Sequence, residues 1–467
     1  MTCFALLAPP AARAVNFAAS QNADLLIGAP AGGWTTRTSH STAAMANGLR
    51  FPNGVAVDAS GSVYVSDSRN HRLMRWGATP AGNYAAMTNV LMKADASQAS
   101  WGLACLNGST SPEQMTVVGD GATTRLAVAD RYNHRVVLFT SEPTADGTTG
   151  TVFLGQAGGG ACGANRGTGT PTASTLDSPS AVWTDGSRVA VADTNNHRVL
   201  LWDSWPSTGQ AADRVLGQAD FASNLPNRGA SVSATTLSAP KGVWFDGTWL
   251  YVADSNNHRV LAWNGWPAAS GASATNVLGQ ADMVSSNSTC SSRGLTYPTS
   301  VTSTGSGAGH RLVIAAENQH RVVVHNGWPS APTNNTAISS ALGQTGLASC
   351  AHNANQASAT AATLRAPGAV TFDGSGNLWV ADVENHRVLR FPSLATGASA
   401  DRVLGQPNFT SNIAFGVANA NTFEQTTGAS SAGPRGTRVE STRPPRCVAT
   451  RSSCARRCRG RPRRRSP

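Results

Sequence analysis

The sequence predicts an all-β fold, a six-bladed β-propeller with four antiparallel strands in each blade. A repeat carries this prediction, because the histidines of one motif recur at gaps of 63, 63, 61, 62 and 66 residues. They are His71, His134, His197, His258, His320 and His386. Composition agrees, since 47 glycines, 24 prolines and only 13% charged residues in 467 suit short strands joined by turns. A single unit of this kind cannot bury both its faces, so the array must close into a ring.

The clearest copy of the repeat, residues 237–267, shows why each unit contains strands. Apolar and polar residues alternate in its first segment, which ends in Asp246-Gly247, a strong hairpin signal. An Asn-rich turn separates the second and third segments, and Asn tolerates positive φ. The four predicted strands are 242–246, 249–254, 259–263 and 276–280. Such a unit is one propeller blade.

The sequence offers one candidate fourth strand too many, so it does not decide which segment closes the ring. Related segments stand at 90–93, 152–156, 215–218, 341–344, 403–406 and, in a weaker form, 25–28. Six sets of inner strands therefore have seven candidate fourth strands, so either 25–28 or 403–406 is surplus. No further unit follows Phe409. We expect six blades, with an incomplete seven-bladed ring as the alternative.

The termini differ in composition from the repeat array. Residues 1–14 end in Ala12-Arg13-Ala14 and suggest the remnant of a signal peptide. Residues 15–410 form the propeller, and 411–467 are expected to be a disordered, Arg-rich tail, whose composition also suits an out-of-frame reading. Residues 434–467 hold 12 of the 36 basic and one of the 25 acidic residues, so the rest has no net charge. The propeller itself thus gives no support to nucleic-acid binding, and no segment is apolar enough to span a membrane.

Three copies of the motif carry a family resemblance. They read VADTNNHRVLLW, VADSNNHRVLAW and VADVENHRVLRF. With the preceding proline and strand, these residues resemble the NHL repeat, and the resemblance extends over about residues 24–410. In the fifth copy, AAENQHRVVVH, Glu317 and Gln319 are interpreted as replacing Asp and Asn. The resemblance, to secreted proteins of the bacterial type, implies a propeller but no single function.

The repeated Asp and His residues are predicted to be structural. Each Asp precedes the turn and can accept hydrogen bonds from its amides, while the Arg after each His can pair with carboxylates. Equivalent histidines lie around a ring, too far apart to share a metal ion, so no metal or catalytic residue is assigned. The motif aspartates are Asp67, Asp130, Asp193, Asp254 and Asp382.

One position of the repeat holds a different residue in each copy, while the positions around it are similar in all copies. Directly after the proline that opens each innermost strand, near the expected channel mouth, stand different residues in each copy. Varied polar residues on a repetitive frame are where ligand sites are built; the alternative is a solvated rim without a ligand. The predicted ligand-binding residues are Asn53, Glu113, Ser180, Lys241 and Thr299, with Gly368 in the sixth copy.

Four cysteines share one loop of the repeat. They occur in two pairs of neighbouring units, which predicts the bridges Cys105–Cys162 and Cys290–Cys350 and an oxidising compartment. The three cysteines of the Arg-rich tail lack metal-ligand spacing.

These observations predict a monomeric, non-catalytic binding module for a protein or glycan, secreted, periplasmic or at the cell surface, without a cofactor. The alternative is a hydrolase or lyase resembling the gluconolactonase, paraoxonase and amidating-lyase propellers, which would hold Ca or Zn in the channel. That alternative needs several converging ligands. Asn53 and Glu113 are the only candidates that the sequence offers near the mouth.

Overall fold

Six four-stranded antiparallel sheets follow one another along the chain, and each is built from four consecutive strands. The computed structural model describes residues 48–83, 85–92, 111–119, 123–327 and 334–414. Blades 1 to 3 contain β1 Pro52–Val57, β2 Val63–Asp67, β3 Arg72–Trp76, β4 Asn89–Leu91, β5 Pro112–Val118, β6 Arg125–Asp130, β7 Arg135–Phe139, β8 Val152–Leu154, β9 Ala181–Thr184, β10 Val189–Asp193, β11 Arg198–Trp202 and β12 Arg214–Leu216. Blades 4 to 6 contain β13 Pro240–Phe245, β14 Trp249–Asp254, β15 Arg259–Asn264, β16 Asn276–Leu278, β17 Pro298–Thr304, β18 Arg311–Ala316, β19 Arg321–Asn326, β20 Ser340–Leu342, β21 Pro367–Phe372, β22 Leu378–Asp382, β23 Arg387–Phe391 and β24 Arg402–Leu404.

The first strand of each blade is the innermost one, and its outer neighbours follow in chain order. A proline stands at or just before its start, where its missing N–H removes no ladder bond. In blade 4, Pro240 lies opposite Asp254, and a bulge follows before Gly242 pairs with Ala253. We call this end of the channel the proline end, and the end where first and second strands join the hairpin end.

The ring closes with six blades. The inner strand β1 packs between β5 on one side and β21 on the other. Gly48 forms a parallel bridge with Gly405, and the Phe51 amide donates to His386 across the same junction. Because β24 completes blade 6, residues 403–406 belong to the ring, and the competing segment 25–28 lies outside the described residues.

The core consists of six apolar clusters, and each lies between two adjacent blades. The cluster of blades 3 and 4, for example, combines Leu201 and Trp183 with Val243 and Phe245. A blade thus buries its faces only against its neighbours, as a closed array of repeats requires. Across the described ranges, no helix has the length and apolar character to cross a membrane.

One of the two predicted disulfides is described. Cys290, in the loop before β17, is bonded to Cys350, in the loop before β21, with 6.2 Å between their Cα atoms. Cys162 is also disulfide-bonded. Cys105 lies outside the described residues, so the Cys105–Cys162 pairing stays a prediction.

Candidate functional site

The motif aspartates lie in the structure as buried acceptors beneath the turn. In blade 4, Asp254 has no exposed surface. Its Oδ2 accepts from Asn257 Nδ2 and Arg259 Nε, each at 2.8 Å, and its Oδ1 accepts the Ser238 amide at 2.7 Å. Ion pairs with fully buried side chains recur in blades 1, 2, 3 and 6. These carboxylates are saturated with donors and sit away from the channel.

The motif histidines join neighbouring blades, a role that the sequence analysis did not anticipate. Each is in the left-handed conformation, with φ between 49° and 54°. Where the bond is described, Nδ1 accepts the amide N–H of the residue directly before the proline that opens the next blade's inner strand, at 2.9 to 3.3 Å. The pairs are His134 with Ser178, His197 with Ala239, His258 with Tyr297, His320 with Ala366 and His386 with Phe51.

Blade 5 corrects the interpretation of its motif. Ala316, and not Glu317, occupies the position of the motif aspartate, since Ala316 pairs with Arg321 as Asp254 pairs with Arg259. Gln319 supplies the missing acceptor, because its Oε1 accepts from Arg321 Nε at 3.0 Å and Nη2 at 2.9 Å. Glu317 is thereby free to lie at the channel mouth.

Two of the predicted ligand-binding residues bridge blades. Ser180 Oγ lies 2.5 Å from Thr194 Oγ1 and 3.3 Å from the Lys241 carbonyl of the next blade. Thr299 Oγ1 donates to the Pro367 carbonyl at 3.3 Å. Both side chains are buried, at 3% and 4% exposure. Ligand binding by these two residues remains a prediction, and the contacts described for them are structural.

Asn53 and Gly368 lie side by side at the junction of blades 1 and 6. A Cβ added to Gly368 would stand 3.4 Å from Asn53 Oδ1 and 2.7 Å from a Val383 methyl. Asn53 is partly exposed. Val383 and Asn53 thus pack closely against the backbone of Gly368, and a side chain in this position of blade 6 would displace Val383.

Four charged side chains form what we call the mouth cluster: Glu113, Arg131, Lys241 and Glu317. Arg131 Nη1 lies 3.5 Å from Glu113 Oε1, and Lys241 Nζ lies 3.7 Å from Glu317 Oε2. All four side chains are only partly exposed, between 12% and 29%. The two pairs also act on each other, because the charges of Lys241 and Glu317 both influence Glu113.

Burial raises the pKa of both mouth glutamates. For Glu113, the nearby charges of Arg131 and Lys241 oppose that rise, and for Glu317 Lys241 opposes it. The cluster therefore presents two acids and two bases in a poorly solvated place, where interactions with an incoming charge are strengthened.

Sequence reasoning found Glu113 and Lys241 but missed Arg131 and Glu317. These two occupy the turn position directly after the motif aspartate. In blades 3 and 4 that position holds a hydroxyl that donates to the next blade's proline carbonyl, from Thr194 at 2.8 Å and Ser255 at 2.6 Å. Comparing the six copies at this position would have revealed the two charged residues, since the other four copies hold Ser68, Thr194, Ser255 and Val383.

Gln114 crosses the channel just below the mouth cluster. It belongs to blade 2, yet its Nε2 donates to the Lys241 carbonyl at 3.2 Å and to the Thr299 carbonyl at 2.5 Å, in blades 4 and 5. At the same position the other five blades carry only small residues: Gly54, Ala181, Gly242, Ser300 and Ala369. A Cβ on Gly54 would meet the Glu113 carbonyl at 2.3 Å, so the inner strands approach closely here. Gln114 thus occupies the axis and divides the channel.

A cavity of about 510 Å³ occupies the channel on the hairpin side of Gln114. All six inner strands contribute to its wall, which includes valines, aromatic side chains and hydroxyl groups. The sequence analysis placed its candidate site at the other end and did not anticipate this cavity.

The residues proposed for a channel metal do not fit one. Glu113 lies beside Arg131 and under the influence of Lys241, so a divalent cation there would face two positive charges. Within the described ranges, no group of three His, Cys, Asp or Glu side chains is placed to hold a metal ion.

The NHL repeat family model matches residues 49–75 and 364–391, which span the first three strands of blades 1 and 6. Two of the six blades of this propeller thus match the NHL repeat. No curated protein matches the sequence.

Three solved structures are similar to this chain only at low TM-scores and low sequence identities. The nidogen/laminin complex shares 16% identity over 62% of this chain and 83% of that chain, with a TM-score of 0.36. Virginiamycin B lyase from Staphylococcus aureus shares 10% identity over 75% of this chain and 84% of that chain, with a TM-score of 0.36. The WD40 β-propeller domain of Doa1 shares 9% identity over 79% of this chain and 88% of that chain, with a TM-score of 0.39. At this level the three proteins say nothing about what this chain binds.

Proposed function

We propose that this propeller is a non-catalytic binding module whose ligand docks at the proline end of the channel. One observation carries the proposal: the charged residues that depart from the repeat at two separate positions converge in the mouth cluster. If these charged residues differed from the repeat for unrelated structural reasons, we would not expect them to lie together at one place. Polar residues gathered on a rigid repetitive frame are typical of a recognition surface.

The charges of the mouth cluster favour a protein ligand over a neutral glycan. The cluster offers two carboxylates and two cations, so it complements a segment that carries charges of both signs. Such complementarity fixes orientation and excludes partners with like charges at the same points. Asn53, which is partly exposed, extends the same rim.

The proposed module is secreted or periplasmic, of the bacterial type, or displayed at the cell surface. The Cys290–Cys350 disulfide supports this placement, because such bonds persist mainly in oxidising compartments.

A peptide-display library and a glycan array, both probed with the full chain, test the proposal. We expect selected peptides to contain an acidic and a basic residue, and their binding to be lost in Lys241→Ala. The double variant Lys241→Glu with Glu317→Lys keeps an ion pair at the same place but reverses its polarity, so it should stay folded and lose the same peptides.

Arg214→Ala is the matched control, because Arg214 pairs with Asp203 on the outer part of blade 3. It should bind like the wild type. Peptides that bind the reversed-pair variant and the wild type equally would overturn the proposed site, and turnover of a substrate would overturn the non-catalytic role.

A further inference from the structure

The cavity at the hairpin end is a second site, separate from the mouth cluster. Gln114 stands between the two, with its amide bonded to the backbones of blades 4 and 5. Gln114 is also part of the cavity wall, and the volume of about 510 Å³ lies within the range of small-molecule sites. We propose that it binds a neutral saccharide, and this inference does not rest on the function proposed for the mouth.

Among the described residues that line the cavity, the charged ones are Asp185, Arg188 and Asp246, and each already has a partner. Asp185 accepts from Arg188 Nε at 2.9 Å and from Nη2 at 2.7 Å. Asp246 lies 3.1 Å from His310 Nε2 and accepts the amides of Thr248 and Trp249. A charged ligand would have to break these pairs or remain unpaired in a poorly solvated channel, which is costly.

A purely apolar ligand is also disfavoured, because the wall is made of strand edges. In every sheet the first strand is an edge strand, and the side of it that pairs with no other strand of the sheet faces the channel. Such an edge presents backbone N–H and C=O groups that need partners. A hydrocarbon that filled the cavity would displace the water that hydrogen-bonds to these groups and would form no hydrogen bonds to replace it. Hydroxyl groups both donate and accept, so a polyhydroxylated ligand can serve both kinds of edge group.

The remaining wall suits a ligand with one apolar face. The indole of Trp244 is half-buried, and its Nε1 donates to Ser303 Oγ at 2.9 Å, which fixes the ring between blades 4 and 5. Phe372, in blade 6 and thus two blades away, also lines the cavity and is partly exposed. The hydroxyls of Thr304 and Thr371 lie on the same wall. Aromatic faces beside hydroxyls match a sugar ring, which has C–H groups on its faces and hydroxyls around its rim.

Titration calorimetry and Trp fluorescence with glucose, galactose, maltose and cellobiose test this site in the full chain. We expect at least one of these sugars to bind at millimolar concentration or below. Trp244→Ala should weaken it by about tenfold or more, since a stacking surface is lost. Thr371→Trp, which fills the cavity and leaves Trp244 in place, should abolish binding even if Trp244→Ala fails to fold.

Arg214→Ala, on the outer part of blade 3, is the matched control and should bind the sugar like the wild type. Failure of all four sugars to bind the folded wild type would overturn the proposal. So would binding of glucuronate or of an apolar naphthalene dye in their place, or sugar binding that Thr371→Trp leaves unchanged.

Discussion

At the residue scale, the repeat depends on a buried carboxylate with three partners. Asp254 accepts from an amide, an asparagine and an arginine, all without access to water. Arg259 in turn donates to the Met283, Ser233 and Thr236 carbonyls, so the pair ties the turn to the loops on both sides. The cluster is structural because both carboxylate oxygens accept hydrogen bonds from the protein itself.

Removing this carboxylate should be strongly destabilising. Asp254→Ala leaves the buried Arg259 guanidinium without a counter-charge, and we expect a loss of about 3–5 kcal/mol in the free energy of unfolding. Urea denaturation followed by Trp fluorescence measures it. Asp282→Asn, at an exposed position in the loop after blade 4, should leave the midpoint nearly unchanged. A loss below 1 kcal/mol for Asp254→Ala would contradict the structural role.

The histidines make the ring sensitive to acid. Burial lowers the pKa of His386 to about 4, helped by the charges of Arg50, Arg365 and Arg69. An unfolded histidine titrates near 6.5, so the unfolded chain binds the proton more tightly. The stability contribution is complete above about pH 6.5 and is lost progressively as the pH falls toward about 4. Burial lowers the pKa of His197, His258 and His320 as well.

We therefore expect the melting temperature to fall between pH 7.5 and pH 5. His386→Asn tests the cause, because Asn tolerates the left-handed backbone and does not titrate. This variant should begin less stable at pH 7.5 and lose less on acidification. Parallel pH curves for the variant and the wild type would show that groups other than His386 set the acid sensitivity.

At the scale of elements, the end of the fourth strand connects one blade to the next. Gly279 follows β16 with φ of 86°, and a Cβ there would meet the Leu295 side chain at 2.8 Å. The next residue, Gln280, donates to the His258 carbonyl at 2.9 Å and to the Asn287 carbonyl at 2.8 Å. The Leu-Gly-Gln ending thus needs glycine for both its conformation and its contact.

Two glycine variants separate these causes. Gly247 also has positive φ, at 93°, but nothing lies within 4 Å of its added Cβ. Gly247→Ala should lose about 1 kcal/mol from backbone strain alone, while Gly279→Ala should lose about 2–3 kcal/mol because it also displaces Leu295. Thermal melts of the two variants compare them directly. Equal losses would mean that Leu295 moves aside at no cost.

At the scale of the whole molecule, no strand is exchanged between the ends of the described chain to close the ring. Blade 6 is complete with β24, and closure depends on packing of β1 against β21 together with the contacts of Gly48, Leu49 and Phe51. The Cys290–Cys350 bond adds a covalent link between the loops that precede blades 5 and 6.

Removing the disulfide should therefore lower global stability. Its cysteines are 60 residues apart, and the chain-entropy estimate for such a loop is about 3–4 kcal/mol. We expect the double variant Cys290→Ser, Cys350→Ser to melt at a lower temperature. The wild type in reductant should shift in the same direction, while the double variant in reductant should shift less. A double variant as stable as the oxidised wild type would leave the bond without a stabilising role.

The Arg-rich segment is proposed to be dispensable for the propeller. The last strand ends at Leu404, and the final contacts of the described chain join Ile413 to Gln406. Truncation after Asn421 should leave the melting temperature within a few degrees of the full chain. A larger decrease would mean that the segment packs on the ring.

The sequence alone determined the blades. A motif of about 60 residues repeats six times, and its signals are local ones: an Asp-Gly turn recurs in four copies, and an Asn directly before the motif histidine recurs in five. Aspartates could be assigned to turns for the same reason, because their partners lie within 20 residues along the chain.

Only the tertiary structure decided what lies in the channel. Gln114 bonds Thr299, 185 residues away, and Lys241 meets Glu317 from the neighbouring blade. Such contacts depend on the radius of the closed ring and on the bulge after each proline, which no single repeat encodes. The same holds for the histidines, whose acceptor role exists only when the next blade brings its amide within reach.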